Sequence, residues 1–291
     1  MVASADIAVT TIRAALRRAR AGLLTSDSAD LDAQVLLAKV LGVERAFLFT
    51  HGETPLRAEQ WRQYRELLQR RAAGEPIAYV LGKQGFYDLE LAVTPSVLVP
   101  RPETELLLEA ALRLTADTPG LAVADIGTGS GALAVTFARQ RPQCTVYATE
   151  ISADALDVAR ANARVHDAQV RCFHGHLAQP LIKRGIKVDL LMANLPYIAS
   201  DELDTLEVSR WEPRTALDGG PDGLAYIREL LTQTPSVCHS GAQILLEIGA
   251  DQGAAVSRLG RDVLDLECSV LKDYANLDRI VRFQLRRSES N

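Results

Sequence analysis

Apolar side chains in the first 75 residues recur every three or four positions, a spacing typical of amphipathic helices. They form three stripes: Ile12, Leu16 and Leu23; Leu31, Val35, Leu36 and Val40; and Trp61, Tyr64, Leu67 and Leu68. Asp30 is placed to cap the second stripe, which ends at Gly42. The pattern predicts a small N-terminal helical domain over residues 1–75.

Between residues 77 and 99 the pattern changes to short strand-like segments. Ala78–Leu81 and Leu89–Val93 are apolar or alternating, glycines at 82 and 85 separate them, and Pro95 follows the second. Short runs of this kind divided by glycine are typical of a hairpin. We therefore predict a β-hairpin linker over residues 76–100.

The rest of the chain alternates between strand-like and helix-like segments. Predicted strands cover 121–126, 145–149, 170–173, 187–193 and 243–248, and predicted helices cover 132–139, 153–165, 224–233 and 252–259. A terminal hairpin is predicted from 268–271 and 279–285. This alternation implies a parallel sheet with helices on both faces, so residues 101–291 are predicted to form an α/β domain.

Composition adds few constraints. The 291 residues are 47% apolar, which is enough for a full core and a second, smaller domain. No secretory leader or bilayer-spanning run is visible, so the sequence predicts a cytoplasmic protein. Four widely spaced cysteines predict free thiols. The net charge of −5 divides into +3 over residues 1–85 and −8 over the rest, and the basic excess is most simply a solvated helix face.

The tetrapeptide Asn194–Tyr197 directly follows the apolar run 188–193. It is therefore predicted at the carboxyl edge of a parallel sheet, where open α/β folds bind ligands. The Asn194 amide and the Leu195 carbonyl could accept the two hydrogens of a planar NH2 group, Pro196 stiffens the turn, and Tyr197 supplies a flat face. The alternative is a strand-to-loop turn with an incidental asparagine.

A second candidate site is the glycine-rich loop Asp125–Gly131, which joins the first predicted strand to the first helix. Its spacing also satisfies the dinucleotide pattern, so the loop alone does not separate NAD from S-adenosylmethionine. Glu150 closes the next strand, where an acid can accept both hydroxyls of an adenosine ribose. Asp125 suits a cationic ligand such as the methionine ammonium, so S-adenosylmethionine is preferred.

Other chemistries have little support. His174 and His176 would project from one side of an extended segment and could hold a metal, but no acidic or cysteine partner has a recognisable spacing. The sequence therefore predicts no metal site. No Ser-His-Asp or Cys-His arrangement is evident either.

Several motifs together resemble those of the HemK/PrmC family, glutamine methyltransferases that act on peptide-chain release factors. The glycine loop is shared by many methyltransferases, whereas the R-P-E-T-E run joined to an N-P-P-Y-like motif is specific. The motifs are Gly74–Tyr79, Val99–Glu105, Asp125–Gly131, Asn194–Tyr197, Glu212–Leu217, Gly219–Leu224 and Leu246–Gly249.

The resemblance implies a Rossmann-like class I S-adenosylmethionine-dependent methyltransferase sheet, with a helical domain for substrate recognition attached through a β-hairpin. It implies methylation of the glutamine side-chain amide in the GGQ motif of class-1 release factors, with Asn194, Leu195, Pro196 and Tyr197 holding that amide. Neither a membrane nor direct binding of nucleic acid is expected, and a monomer is favoured. The implied cofactor contacts are Asp125, Gly127, Thr128, Gly129, Ser130, Gly131, Glu150, Leu177 and Asn194.

The chain departs from the family pattern at two positions. Leu195 stands where the second motif residue is usually proline, but its expected contribution is a carbonyl, which leucine also has. His176 stands where the family often has aspartate near the adenine edge, which affects adenine recognition more than activity.

Two alternatives remain at the level of sequence. Ribosomal-RNA adenine dimethyltransferases also use an N-L-P-Y motif, and adenine carries a planar exocyclic NH2 group, so an adenine-N6 methyltransferase acting on RNA or DNA is the alternative enzyme. The R-P-E-T-E run and the acidic C-terminal half favour a protein substrate. A cofactor-binding scaffold without catalysis is a third possibility, against which the intact Asn194, Pro196 and Tyr197 argue.

Overall fold

A computed structural model of the protein describes residues 10–23 and 26–286. Residues 1–9, on which the expectation about a leader rests, lie outside that description. The chain divides into two compact units, with the boundary between Gly82 and Lys83. Within the described part of the chain, no helix combines the length and the apolar character needed to cross a membrane.

The first unit is helical, as its apolar stripes predict. Its helices are α1 (Ile12–Gly22), α2 (Ala29–Leu41), α3 (Arg45–Thr50), α4 (Ala58–Ala72) and α5 (Ile77–Leu81). Residues from all three stripes lie in one core that includes Ile12, Leu36 and Tyr64, whereas Leu31 of the second stripe is exposed.

Two local expectations in this unit are wrong. Ser28, not Asp30, precedes α2, and Asp30 lies in the first turn. Residues 77–81 form a helix rather than a strand: Pro76 precedes it, Gly82 ends it in the left-handed conformation, and Val80 packs in the helical core. A short apolar run does not distinguish a buried strand from a buried helical turn by itself.

The second unit begins with the predicted hairpin, in a shorter form. Strands β1 (Lys83–Phe86) and β2 (Leu89–Ala92) pair antiparallel, and Pro102 then opens α6 (Pro102–Leu114). Proline suits this position because the first helical N–H has no partner within the helix. The hairpin is therefore part of the larger unit, and the helical unit extends to Gly82 rather than to residue 75.

A seven-stranded sheet forms the centre of the second unit, in the order β5-β4-β3-β6-β7-β9-β8. The strands are β3 (Ala122–Ile126), β4 (Thr145–Glu150), β5 (Val170–His174), β6 (Val188–Ala193), β7 (Cys238–Glu247), β8 (Cys268–Lys272) and β9 (Asp278–Gln284). The remaining helices are α7 (Ala132–Gln140), α8 (Ala153–Val165), α9 (Gln179–Ile182), α10 (Ser200–Leu203), α11 (Ala225–Val237) and α12 (Gly253–Leu264), with 3-10 turns at Glu207–Arg210 and Arg214–Ala216.

The sheet confirms the predicted α/β fold. Strands β3 to β7 pair parallel, and β9 is antiparallel to both β7 and β8, so the predicted terminal hairpin is present. Hydrophobic clusters cover the two faces. One includes Leu107 and Phe137, and the other includes Ile227 and Val256.

Helices α11 and α12 run several residues further than the sequence predicts, and α12 ends at Leu264 rather than at residue 259. Helix α11 continues through Pro235 to Val237, whereas the prediction ends at residue 233. Proline lacks the N–H that would bond the Leu231 carbonyl four residues earlier, and this loss usually ends a helix. Here the hydroxyl of Thr234 donates to that same carbonyl at 2.8 Å, so the oxygen is not left unpaired.

The strand order fixes where a ligand can bind. β3 lies between β4 and β6, so the chain leaves β3 toward one edge and later returns to its other side. This is the topological switch point of an open α/β sheet, and a crevice forms there at the carboxyl ends of the strands. Both candidate segments follow strands at this point: the glycine loop follows β3, and the tetrapeptide follows β6.

Candidate functional site

The glycine loop after β3 is held by hydrogen bonds to β4. The N–H groups of Gly127 and Thr128 donate to the Thr149 carbonyl at 2.9 and 3.0 Å, and the Gly129 N–H donates to Glu150 Oε2 at 2.9 Å. These three donors are used within the protein, so they are not free to bind a pyrophosphate. The loop therefore forms part of the wall of the site and does not offer these N–H groups to an anion.

Gly131 ends the loop in a tight helix contact. Its φ of 84° favours glycine, and a Cβ there would lie 3.0 Å from Val135 Cγ2 and 3.2 Å from Ala159 Cβ. The residue therefore allows α7 to start close to α8.

Asp125 is buried at the end of β3. Its Oδ2 accepts from the Thr128 hydroxyl at 2.6 Å and from the Ala134 N–H at 3.1 Å. Burial raises the pKa of Asp125 to about 7, the two hydrogen bonds oppose that rise, and the nearby charge of Glu150 adds to it. A cation bound beside Asp125 would favour the ionised carboxylate.

Glu150 closes β4 with both carboxylate oxygens in use. Oε2 accepts from Gly129 and Oε1 accepts from the Ser152 N–H at 2.9 Å. Each carboxylate oxygen has a second lone pair, so Glu150 can still accept hydroxyl donors. The hydrogen bonds that Glu150 accepts fix the orientation of its carboxylate toward such hydroxyl donors.

One cavity brings most of the predicted site residues together. The cavity is lined by the glycine loop, Glu150–Ser152, Gly175–Leu177, Asn194–Pro196 and parts of the segment before α6. All the predicted cofactor residues line it except Gly131, which packs between helices instead. Two carboxylates, Asp125 and Glu150, contribute to its wall.

In the tetrapeptide, Asn194, Leu195 and Pro196 line the cavity, while Tyr197 is not among the described lining residues. The Asn194 side chain donates from Nδ2 to the Thr104 hydroxyl oxygen at 3.0 Å. With Nδ2 engaged, Oδ1 is the part of the amide that can accept from a ligand. Thr104 belongs to the R-P-E-T-E run, so this hydrogen bond joins the two motifs.

Backbone contacts hold the turn after Asn194. Gln252 Nε2 donates to the Tyr197 carbonyl at 2.9 Å. A Cβ at Gly219 would lie 2.7 Å from the Pro196 carbonyl oxygen, and one at Gly223, whose φ is 69°, would overlap the Tyr197 carbonyl oxygen. The G-G-P-D-G segment thus packs directly against the backbone of the tetrapeptide. Burial also raises the pKa of the Tyr197 phenol.

The two histidines bind different partners. His174 Nε2 lies 2.8 Å from the Ile151 carbonyl oxygen, and His176 Nε2 lies 2.9 Å from Glu229 Oε2. Across residues 10–23 and 26–286, no group of three or more His, Cys, Asp or Glu side chains is placed to hold a metal. Leu177 follows in the left-handed conformation with a φ of 45° and is buried.

A half-buried ion pair links two of the motifs near the cavity. Glu212 is buried, pairs with Arg101, and accepts from the Val99 N–H through Oε2 at 3.0 Å. Sequence reasoning gave no role to this glutamate. Its signal in the sequence is its place at the start of the motif Glu212–Leu217.

Glu247 is a second residue that sequence reasoning left without a role. It ends β7 and is 2% exposed. Burial raises its pKa to about 7, while hydrogen bonding by Thr104 and Asn194 and the charge of Arg279 oppose that rise. The sequence signal that could have identified Glu247 was an acidic residue at the carboxyl end of an apolar strand.

Family models match both units of the chain. The model described as the PrmC N-terminal domain matches residues 14–82, and the model described as the methyltransferase small domain matches residues 102–210. The first match ends at Gly82, where the structural boundary lies.

Curated relatives match over most of the chain. A protein of Moorella thermoacetica is 42% identical over 91% of this chain and 94% of its own length. One of Geobacter sulfurreducens is 38% identical, covering 88% and 89%, and one of Bacillus subtilis is 37% identical, covering 93% and 96%. Each is named release factor glutamine methyltransferase.

Solved structures share the fold at low identity. A methyltransferase from Pyrococcus furiosus matches with a TM-score of 0.52 and 19% identity, covering 77% of this chain and 98% of that one. The Thermus thermophilus 16S rRNA N2 G1207 methyltransferase, solved with AdoMet and guanosine, matches with a TM-score of 0.53 and 15% identity, covering 70% and 50%.

Proposed function

This chain belongs to the release factor glutamine methyltransferase family, and from that premise we propose that it methylates the side-chain amide nitrogen of the GGQ glutamine in class-1 release factors. S-adenosylmethionine is the proposed methyl donor. The observation that carries the proposal is the Asn194 amide, oriented by Thr104 at the wall of the same cavity that Asp125 and Glu150 line.

The cavity residues fit S-adenosylmethionine better than NAD. Three loop N–H groups already bond Thr149 and Glu150, so they do not serve a pyrophosphate, whereas buried Asp125 suits an ammonium group. Glu150 would accept from the ribose, and Leu177 would contact the base. When bound, this cofactor supplies an electrophilic methyl group on a sulfonium.

The tetrapeptide would act on the glutamine amide by orientation. An amide nitrogen is a weak nucleophile because its lone pair is delocalised into the carbonyl. Acceptance of its two N–H bonds by Asn194 Oδ1 and the Leu195 carbonyl would direct the lone pair toward the methyl group. We propose that the Tyr197 ring packs on the amide plane once the substrate loop enters. The methylated nitrogen then loses its proton to water, so no strong base is needed before attack.

The departure at Leu195 is compatible with this role. Leu195 is buried, and a Cβ on Gly127 would lie 3.0 Å from its Cδ2, so its side chain packs against the glycine loop while its carbonyl stays available. At His176, the pair with Glu229 occupies the position where we propose recognition of the adenine edge.

The helical unit would recognise the body of the release factor. A glutamine side chain offers too little surface to select one protein among many, so affinity must come from contacts remote from the reacting nitrogen. A truncated protein beginning at Lys83 should bind S-adenosylmethionine with unchanged affinity but methylate an intact release factor at least about tenfold more slowly. If a folded truncated protein keeps full activity, the helical unit has another role.

The substrate class is tested by offering several acceptors to the purified full chain. Labelled S-adenosylmethionine is incubated separately with a class-1 release factor, the same factor with its GGQ glutamine replaced by glutamate, ribosomal RNA and DNA. Label should enter only the intact factor. Label in RNA or DNA, or equal label in the glutamate variant, would contradict the proposal.

A further inference from the structure

We propose that Glu247 is a positioning residue that acts through Thr104 to hold the Asn194 amide with Oδ1 toward the substrate. The inference rests on the proposed function, because it concerns how the amide-binding group is oriented. Glu247 would touch neither substrate nor cofactor; it would set which end of the Asn194 amide the substrate meets.

The strand register places these residues together. β6 and β7 pair with Ala193 opposite Leu246, so the next residues, Asn194 and Glu247, leave adjacent strand ends. Thr104, in the first turn of α6, is also buried and contacts Asn194. Three segments far apart in sequence therefore meet at the wall of the cavity, which Thr104 and Asn194 line.

The direction of each hydrogen bond follows from the donors available. Asn194 Nδ2 donates to Thr104 Oγ1, so the single hydroxyl hydrogen of Thr104 must point to another acceptor. Hydrogen bonding by Thr104 and by Asn194 lowers the pKa of Glu247, so both side chains lie beside its carboxylate. In the proposed order, the carboxylate accepts from Thr104 and the Thr104 oxygen accepts from Asn194.

The reverse orientation would oppose substrate binding. Without an acceptor behind it, the Thr104 hydroxyl could donate to Asn194 Oδ1 instead, with the amide turned over. Asn194 would then present its own NH2 group to the NH2 group of the glutamine, and two donors would face each other. A carboxylate that only accepts excludes this arrangement.

The proposed role also gives a reason for a feature of Glu247 that destabilises the fold. Its Oε2 is buried and has no hydrogen-bond partner among the described residues. A buried, unpaired carboxylate oxygen destabilises a fold, and such a group in a native structure calls for a functional reason. A glutamate kept beside the amide-binding asparagine has such a reason.

The surroundings of Glu247 predict a pH dependence. The charged and titratable groups facing it are Arg279 of β9, Glu103 of α6 and the phenol of Tyr197. Ionised Glu247 can only accept a hydrogen bond from the Thr104 hydroxyl. Protonated Glu247 can instead donate to that hydroxyl, which would weaken the orientation of the Asn194 amide. Because the pKa of Glu247 is raised to about 7, kcat should rise with pH through that region.

The experiment compares four single variants of the full chain. Thr104→Val and Glu247→Leu should each lower kcat on an intact release factor by roughly 10- to 100-fold. The dissociation constant of S-adenosylmethionine and the KM for the release factor should stay within about threefold. Thr104→Ser should restore most of the rate. Thr115→Val, a buried threonine at the other end of α6, is the matched control and should keep the wild-type rate.

Two measurements separate positioning from a general loss of structure. The double variant Thr104→Val/Glu247→Leu should be no slower than either single variant, since both break the same chain of bonds. Glu247→Gln should lose the rise of kcat near pH 7. It should also unfold at a higher temperature than wild type at pH 8, because a carboxyl with a raised folded-state pKa loses its stabilising contribution as pH rises through that pKa.

The outcomes distinguish the inference from the proposed function. If the wild-type chain methylates the release factor but the Thr104 and Glu247 variants match it, or if their losses multiply in the double variant, the positioning role is wrong and the function stands. If the wild-type chain does not methylate the release factor, both fail.

Discussion

The glycine loop after β3 and the tetrapeptide after β6 occupy equivalent places at the sheet edge, yet they are fixed by different contacts. The glycine loop is held by the next strand along the chain, through Thr149 and Glu150. The tetrapeptide is held by residues as distant as Thr104 and Gln252. The proposed cofactor loop is thus fixed by the neighbouring strand, whereas the proposed amide site depends on the whole fold.

The largest effect should come from Asn194→Ala. Removal of one positioned acceptor of the substrate N–H should lower kcat about 100-fold or more at saturating cofactor. Single-turnover kinetics with labelled cofactor measures the loss. A decrease of less than about tenfold would mean that Asn194 does not hold the reacting amide.

Remote support of the tetrapeptide can be tested at Gly223. Gly223→Ala introduces a Cβ that overlaps the Tyr197 carbonyl oxygen at a positive φ, so the turn must shift and kcat should fall roughly tenfold. Gly185→Ala is the matched control, because Gly185 also has a positive φ but no atom near the added Cβ. Similar kcat values in both variants would show that strain alone, not displacement of the turn, is being measured.

The cofactor loop should respond to Glu150→Ala in binding rather than in the chemical step. Loss of a charged acceptor should weaken S-adenosylmethionine binding by roughly 1–3 kcal/mol. Calorimetry measures this change, and Glu150→Gln, which keeps one acceptor oxygen, should lose less. Unchanged affinity in the alanine variant would remove Glu150 from the ribose site.

The smallest effect should come from Leu195→Pro. The proposed contribution of this residue is its carbonyl, which proline keeps, so kcat should stay within about fivefold of wild type. Steady-state rates on an intact release factor measure it. A loss as severe as that of Asn194→Ala would show that the leucine side chain or its N–H carries the role.

The same contrast explains what the sequence could predict. Apolar runs identified the strands, including 188–193, because a buried parallel strand is apolar on both faces. Helix α8 was predicted with its bounds, since Ser152 caps it by accepting from the Ala155 N–H. The glycine loop was found because its conformation demands glycine locally.

The errors arose where a distant contact decides the local structure. Residues 77–81 form a helix because Val80 packs among other helices. Glu247 and Glu212 lie in motifs but were given no role, because Thr104 and Arg101 lie more than 100 residues earlier in the chain. Spacing along a chain does not encode such contacts.

The central claim is that the methyl group goes to the glutamine amide of the GGQ motif. Its most direct test is mass spectrometry of a release factor before and after incubation with the full chain and S-adenosylmethionine, with fragmentation across the GGQ peptide. The account predicts one added methyl group on the glutamine side chain. A methyl group on any other residue, or an unmodified peptide, would contradict it.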